Sequence, residues 1–543
     1  MRRALKRLAD EEFDLLIIGG GITGASVARD AALRGLKVAL IEKNDFANAT
    51  SAHNSKLAHG GLRYLRNFEL GLVRESLKER RIWQRIAPHL VHPLPFLVPM
   101  YKAGLKGRAT LAAGLTLYDM LSYDRGWLDD PEQRLPGHSW LNAKTALARE
   151  PVLEGDGFEG SFLYYDAQMY SPERLALEHL VDAEAHGAAL ANYVEACTLL
   201  MHKGRVAGAS ARCVFSGEFM DINARVTLVA AGPWADIFLA HASGKPASHK
   251  LLRSKGIHVV VPAMTRKYAV TVAAGGGHFF VLPWRGHTIL GTTDTAFQDA
   301  PDDVGVSERD VDDFLDFVNK YLPSANLKRS DVEYFYAGLR PLVDDGSGDT
   351  YGASRRAELV DHSKGDGLDG LFSAIGGKWT TSRDLAESVV DTLIAKLGAH
   401  APASSTATTP MPGAKFGRFR AFAEQIAGEY PMLGAPAHLA QLYGSNLPAM
   451  LSEANNRPEL LEPLGDTGDI GAQVLYAVRE EMALTLDDVV MRRTGIGQLG
   501  RPSATTLDQA AAIMGAELGW NDERKQREVA SLAARFNLQA ATA

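Results

Sequence analysis

The chain has 543 residues, 46% hydrophobic and 23% charged, enough apolar material for about two to four domains and too balanced a mixture for a disordered or fibrous protein. Its 58 basic and 65 acidic side chains leave a net charge of -7 and a pI near 6.2, so nothing draws it generally to nucleic acid. Its two cysteines, Cys197 and Cys213, exclude a disulfide framework and a cysteine-built metal centre, fit a reducing cytoplasm, and leave no metal site expected.

Arg2, Arg3, Lys6 and Arg7 make the N-terminus basic, but an acidic pair and a strand follow where a signal peptide would carry its apolar core, so export is not expected. The most apolar stretches, 226–240 and 268–284, are interrupted by Asp236 and by Gly275, Gly276, Gly277 and His278; neither approaches the ~20 apolar residues of a spanning helix. Residues 13–18 read as a buried strand, 23–34 as a helix rich in small residues and 37–41 as a second strand. Between the first strand and the helix stands Gly19-x-Gly21-x-x-Gly24, whose glycines permit the tight turn and close backbone approach that a pyrophosphate on a helix N-terminus requires. Glu42 ends the second strand, where a carboxylate accepts from a ribose 2′-hydroxyl and repels a 2′-phosphate. Dinucleotide binding follows.

A polar run comes next: Thr50, Ser51, Asn54 and Ser55, then Lys56, His59, Gly60, Gly61, Arg63 and Tyr64. It is too dense in donors for an ordinary connector, and a bound polyanion or ring system explains it. The helical pattern of 68–89 is broken by Pro93, Pro95 and Pro99, where the chain is expected to cross into another domain. Residues 174–186 read as a helix, 191–199, 205–212 and 218–228 as a strand meander, and 256–261, 278–283 and 287–292 as antiparallel strands. Two further glycine-bearing segments suit close approach to a cofactor: 228–234 with Ala231 and Gly232, and 375–381 with Gly376, Gly377 and Lys378 at a helix start. Arg340 precedes a proline where a rigid fork can be aimed; His258 lies on a predicted strand, where buried histidines are often only hydrogen-bonded. The Pro-, Ser- and Thr-rich segment 398–413 reads as a linker rather than a packed element. Beyond it a helical domain is marked by Phe419, Phe422 and Ile426, by Leu475, Val478 and Met482, and by a Thr506–Gln509 capping-box pattern.

Together the segments IGGGITGASVARDAALRG (18–35), SKLAHGGLRYL (55–65), AAGPW (230–234), KGIHVVVP (255–262), GTTDT (291–295), GLRPL (338–342) and GGKWTT (376–381) closely resemble the FAD-dependent, respiratory glycerol-3-phosphate dehydrogenases, from about Asp14 into the helical domain. The sequence departs from the family at Ser26, where a second glycine is usual, at Ser382, where a tyrosine is usual, and at His53, where small residues are common.

The resemblance implies a mixed α/β fold: a Rossmann-like FAD-binding domain of the glutathione-reductase/D-amino-acid-oxidase type (1–90, 150–235, 340–397) interleaved with an antiparallel-sheet substrate domain (91–149, 236–339), a linker (398–413) and an α-helical domain (414–543). It implies noncovalent FAD held by Gly19, Gly21, Gly24, Glu42, Thr50, Ser51, Ser55, Lys56, His59, Gly60, Val194, Ala231, Gly232, Gly376, Gly377, Lys378, Thr380 and Thr381. It implies oxidation of sn-glycerol 3-phosphate, bound by Arg63, Tyr64, Arg340 and Lys378, with catalytic roles for His59, Arg63, His258, Arg340 and Lys378; the base is either histidine. It further implies ubiquinone or menaquinone as acceptor, a homodimer, and peripheral attachment to the inner face of the cytoplasmic membrane. That contact falls either on the N-terminus or on the stretch with Lys102, Lys106, Arg108, Leu111, Leu115, Leu117 and Tyr118. The alternatives are a glycerol-3-phosphate oxidase reoxidised by oxygen and a flavoprotein without turnover.

Overall fold

Leu15, Leu16, Ile17 and Ile18 are all buried, the pattern of a strand covered on both faces, and the strand that they belong to, Glu12–Ile18, lies at the centre of a parallel array. Phe219–Val229 pairs with one side of it and Val38–Ile41 with the other; Leu371–Gly376 and Ala357–Asp361 extend one flank, Ala189–Ala191 the other. The antiparallel hairpin of Val194–His202 and Arg205–Cys213 runs off Phe219–Val229. The computed structural model describes residues 1–244, 249–275, 277–343 and 357–539; Gly276 and part of the third FAD-domain segment lie outside these, as do 540–543.

Helix Ile22–Leu33 begins at the carboxyl end of Glu12–Ile18, where the strand order reverses, which is the topological switch point that opens a ligand crevice in sheets of this kind. Its Gly24, Ala25, Ala28, Ala31 and Ala32 let it lie close to the sheet, with helix Ser382–Leu397 beside it.

The second sheet runs from Thr295–Phe297 through Leu251–Pro262, His287–Gly291, Gly277–Trp284, Ala269–Ala274, Val91–Tyr101 and Phe158–Met169 to Leu57–Ala58, with Tyr334–Val343 also on Leu251–Pro262. It is antiparallel apart from the contact of Ala269–Ala274 with Val91–Tyr101. Here the proline-rich crossing corrects the sequence reading. Pro93, Pro95 and Pro99 do not break the chain but sit within the strand Val91–Tyr101, and their alternate spacing puts all three missing N–H donors on one edge. Phe158–Met169, assigned from sequence to the dinucleotide half, belongs to this second sheet, as does Leu57–Ala58, and Tyr334–Val343 carries the boundary at 340 in its middle.

Three other expectations change. The segment 398–413 joins the helical domain but is packed: Met411 and Thr406 are buried, Arg29 donates to Thr409 O at 3.0 Å and Arg34 to Pro402 O at 2.8 Å. The basic N-terminus is folded in, with Leu8 buried, Arg3 donating to Asn192 O and helix Leu5–Asp10 against the first sheet. Helix Ala504–Leu518 is capped by Ser503, which accepts from Thr506 N, so Thr506 lies inside the first turn rather than at the cap.

Candidate active site

A cavity of about 1540 Å3 lies between the two sheets, larger than the 300–1,000 Å3 usual for one small ligand. Gly19, with φ of +114°, turns the backbone out of the first strand; a Cβ there would stand 2.5 Å from Ala230 O, so only glycine fits. The Glu42 carboxylate accepts from Gly20 N at 2.7 Å and Asn44 N at 2.9 Å, and Ser51 Oγ accepts from Ile22 N at 2.9 Å. Burial raises the Glu42 pKa while these two amides lower it. The wall continues through Lys43, Val194, Trp234 and His241, with Lys43 paired to Asp302 at 2.8 Å, and then through Ala231, Gly232, Gly376, Gly377 and Thr380. A helix N-terminus, two glycine turns and an acid at the end of the second strand fit an adenine dinucleotide.

Cationic groups stand at the other part of the cavity. Lys378 Nζ lies 4.2 Å from the centre of the Tyr64 ring and donates to Ser76 Oγ at 2.9 Å; the Arg63 guanidinium lies 4.9 Å from the same ring. Arg340 is held by Ser254 Oγ at 3.1 Å, Thr293 O at 3.2 Å and Thr292 Oγ1 at 2.9 Å, while Ser254 donates to Asp294 at 2.7 Å. A Cβ on Gly256 would meet Arg340 Nη2 at 2.4 Å, so this strand must carry glycine for the guanidinium to lie across it. His59 lines the same cavity, its amide donating to Thr380 Oγ1 at 3.2 Å; burial first, then Lys378, Arg63 and Arg80, push its pKa down to about 3.

Seventeen of the site residues read from sequence line this cavity: Gly19, Gly21, Glu42, Thr50, Ser51, Ser55, His59, Arg63, Tyr64, Val194, Ala231, Gly232, Arg340, Gly376, Gly377, Lys378 and Thr380. Gly24, Lys56, Gly60, His258 and Thr381 do not. Gly24 faces the Gly19 carbonyl; Lys56 turns away to Glu173 at 3.2 Å and Ala52 O at 2.7 Å. His258 lies behind Ser55, its Nε2 2.9 Å from Ser55 Oγ and its ring stacked on Tyr336 at 4.8 Å. Burial, then Arg340, holds its pKa well below the usual range. His53 also points away, 3.3 Å from Arg535. The departures Ser26 and Ser382 meet, Oγ to Oγ at 3.5 Å: the added hydroxymethyl on the helix faces the position where a smaller side chain makes room. Ser76, Ser254, Thr292, Asp294 and Asp166 were not singled out as site residues. The 291–295 motif held a signal for two of them, whereas Ser76, Ser254 and Asp166 reach the site only through tertiary structure.

Residues 14–383 match the family described as FAD dependent oxidoreductase, and 404–525 the C-terminal domain of alpha-glycerophosphate oxidase. A glycerol-3-phosphate dehydrogenase of Synechocystis is 36% identical, the match covering 97% of each chain. The chain belongs to the FAD-dependent glycerol-3-phosphate dehydrogenase family. Among solved structures, a glycerol-3-phosphate dehydrogenase from Bacillus halodurans complexed with FAD superposes with a TM-score of 0.78 at 29% identity, covering 98% of this chain and 96% of that one. The L-alpha-glycerophosphate oxidase of Mycoplasma pneumoniae shares the fold, with a TM-score of 0.54 at 16% identity over 74% of this chain and 99% of its own. FAD is therefore the cofactor of this family member, the α/β fold with its helical C-terminal domain is the family's, and the fingerprint side of the cavity is suited to hold it.

Proposed function

We propose that the protein oxidises sn-glycerol 3-phosphate at C2 to dihydroxyacetone phosphate and delivers the electrons to a membrane quinone, ubiquinone or menaquinone. The observation that carries this reading is the convergence of Arg63, Arg340 and Lys378 with His59 on the cavity that also contains the glycine fingerprint. Three cations suit a phosphate dianion, and at contact distance they outweigh the chain's net negative charge. FAD, when bound, supplies the hydride acceptor. His59 is the base in this reading: it is neutral, it lines the cavity, and a dianion bound among the same cations raises its basicity as the C2 hydroxyl gives up its proton. Arg340, fixed by three oxygens, stabilises the developing alkoxide. His258 acts only through Ser55.

The quinone and the membrane are supported by the helix Gly104–Leu121 at the cavity mouth. Its outer face carries Leu105, 84% exposed, and Met120, 67% exposed, with Phe68 at 83% nearby; its one acid, Asp119, turns to His138 at 2.7 Å. No helix among the described residues is long and apolar enough to cross a membrane, so the contact is peripheral in this reading.

Anaerobic addition of glycerol 3-phosphate is expected to bleach the yellow protein, and a water-soluble quinone to restore the colour faster than air-saturated buffer. Absence of bleaching refutes the substrate; rapid recolouring in air with stoichiometric peroxide and no quinone effect replaces quinone by oxygen.

A further inference from the structure

Five carboxylates line the cavity, Glu42, Glu195, Asp294, Asp302 and Asp166, and the strand Phe158–Met169 places the last of them directly behind the turn that carries His59. Asp166 is 2% exposed and its oxygens receive three donors: Arg80 Nη1 at 2.6 Å, Gly60 N at 3.2 Å, and the Tyr118 hydroxyl, 2.9 Å from Oδ1 and 2.8 Å from Oδ2. The donors come from three places: helix Leu70–Ile86, the turn that follows Leu57–Ala58, and helix Gly104–Leu121. Arg80 is itself buried and also holds Tyr165 O at 3.2 Å and Ser122 Oγ at 2.8 Å.

The turn in question carries His59 on one side of Gly60 and Arg63 and Tyr64 on the other. A Cβ on Gly60 would stand 2.3 Å from the Tyr118 hydroxyl and 2.4 Å from Leu77 Cδ2, so the backbone is seated hard against the two helices. Between the end of Leu57–Ala58 and the 3-10 turn Leu62–Asn67, its backbone amides are tied by Thr380 Oγ1 at His59 and by Asp166 at Gly60.

We propose that Asp166 is a positioning residue: by accepting from Gly60, Tyr118 and Arg80 together, it fixes the 59–64 turn so that His59 and Arg63 face the same cavity, and it does so by geometry rather than by charge. For its activity readout this rests on the function proposed above. Asparagine can reproduce the geometry, with its oxygen accepting from Arg80 and Gly60 and its amide donating to the Tyr118 oxygen. Alanine cannot.

Asp166→Asn is expected to stay within about threefold of wild type in kcat/KM, and Asp166→Ala to lose about 30- to 100-fold, with KM raised through Arg63 and kcat lowered through His59, while FAD is retained. Amide hydrogen exchange over 57–67 is expected to quicken in Asp166→Ala and in Tyr118→Phe but not in Asp166→Asn. Where the alanine variant fails to fold because Arg80 is left buried and unpaired, Tyr118→Phe carries the test, with an expected three- to tenfold loss in kcat/KM and faster exchange. An asparagine variant as impaired as alanine overturns the geometric role, and unchanged exchange in Tyr118→Phe overturns the anchoring. The exchange readout needs no turnover, so it stands apart from failure of the wild-type protein to bleach with glycerol 3-phosphate.

Discussion

At Tyr64 one phenol face system serves two cations, with Lys378 Nζ 4.2 Å and the Arg63 guanidinium 4.9 Å from the ring centre. The ring and Ser76 hold the Lys378 ammonium at the cavity wall, on the same ring face system as Arg63, where it can meet a phosphate dianion. Arg340→Ala and Lys378→Ala are therefore expected to keep FAD, read as the ratio of flavin to protein absorbance, and to lose about 30- to 1000-fold in turnover, the equivalent of about 2 to 4 kcal/mol for one charged hydrogen bond. Near-wild-type kinetics in both refute the assignment. Much of this site was legible in sequence because its residues sit in short runs beside glycines: Gly19, Gly21, His59, Arg63, Gly376 and Lys378 need no distant information. Lys56 and His258 misled because they sit in equally suggestive runs, yet which face a strand or turn residue takes depends on pairing partners. Lys56 meets Glu173 and His258 meets Ser55, each more than a hundred positions away along the chain.

For elements, the clearest case is helix Gly104–Leu121. From sequence, Leu111, Leu115, Leu117 and Tyr118 read as its membrane face, but Leu115 and Tyr118 are buried, and Leu111 and Leu117 line the cavity. The helix is apolar on two sides, so periodicity alone cannot say which side is the core. Of the basic residues expected to help, Lys102 pairs with Asp156 and Arg108 lies 4.1 Å from the Trp140 ring, whereas Lys106 is exposed at the cavity mouth. Replacing Leu105 and Met120 together with glutamate is expected to abolish sedimentation with anionic vesicles while turnover with a soluble dye acceptor persists. Undiminished sedimentation places the contact elsewhere. The same ambiguity hid the proline strand: Val91–Tyr101 reads as a break because prolines are rare in strands, and only the partner Phe158–Met169 shows why they are tolerated.

Across the whole molecule, the helical domain is bolted to the dinucleotide half. Asp45, fully enclosed, receives Arg492 and Arg493, and Arg492 also reaches Asn48 at 2.9 Å, Asp487 at 2.7 Å and Asp488 at 2.8 Å. Burial works against the Asp45 charge, but the two guanidiniums prevail and hold its pKa below the usual carboxylate range. Asp45→Asn strips two buried cations of their shared counter-ion and is expected to cost about 3 to 5 kcal/mol in unfolding free energy. Urea titration checks it, and a loss under about 1 kcal/mol refutes the bolt. Because Asn48 lines the cavity, FAD is expected to leave this variant earlier on heating. The sequence shows a helical domain after 413 but not this junction, since a charged pair of arginines in a helical turn usually marks a solvated face.

The order of strands in the first sheet has a consequence during synthesis. Glu12–Ile18 leaves the ribosome early, yet its partner Phe219–Val229 follows some two hundred residues later, and Leu371–Gly376 later still. At about 5 to 20 residues per second, the first interval lasts roughly 10 to 40 s. Throughout it Leu15, Leu16, Ile17 and Ile18 have only the Val38–Ile41 side satisfied, so the nascent chain presents a bare apolar edge to its neighbours on the same messenger. Yield in a host cell is thus governed by how that edge is shielded while the rest is made, and slowing translation before residue 219 is expected to lower soluble yield, whereas slowing it after 376 is not.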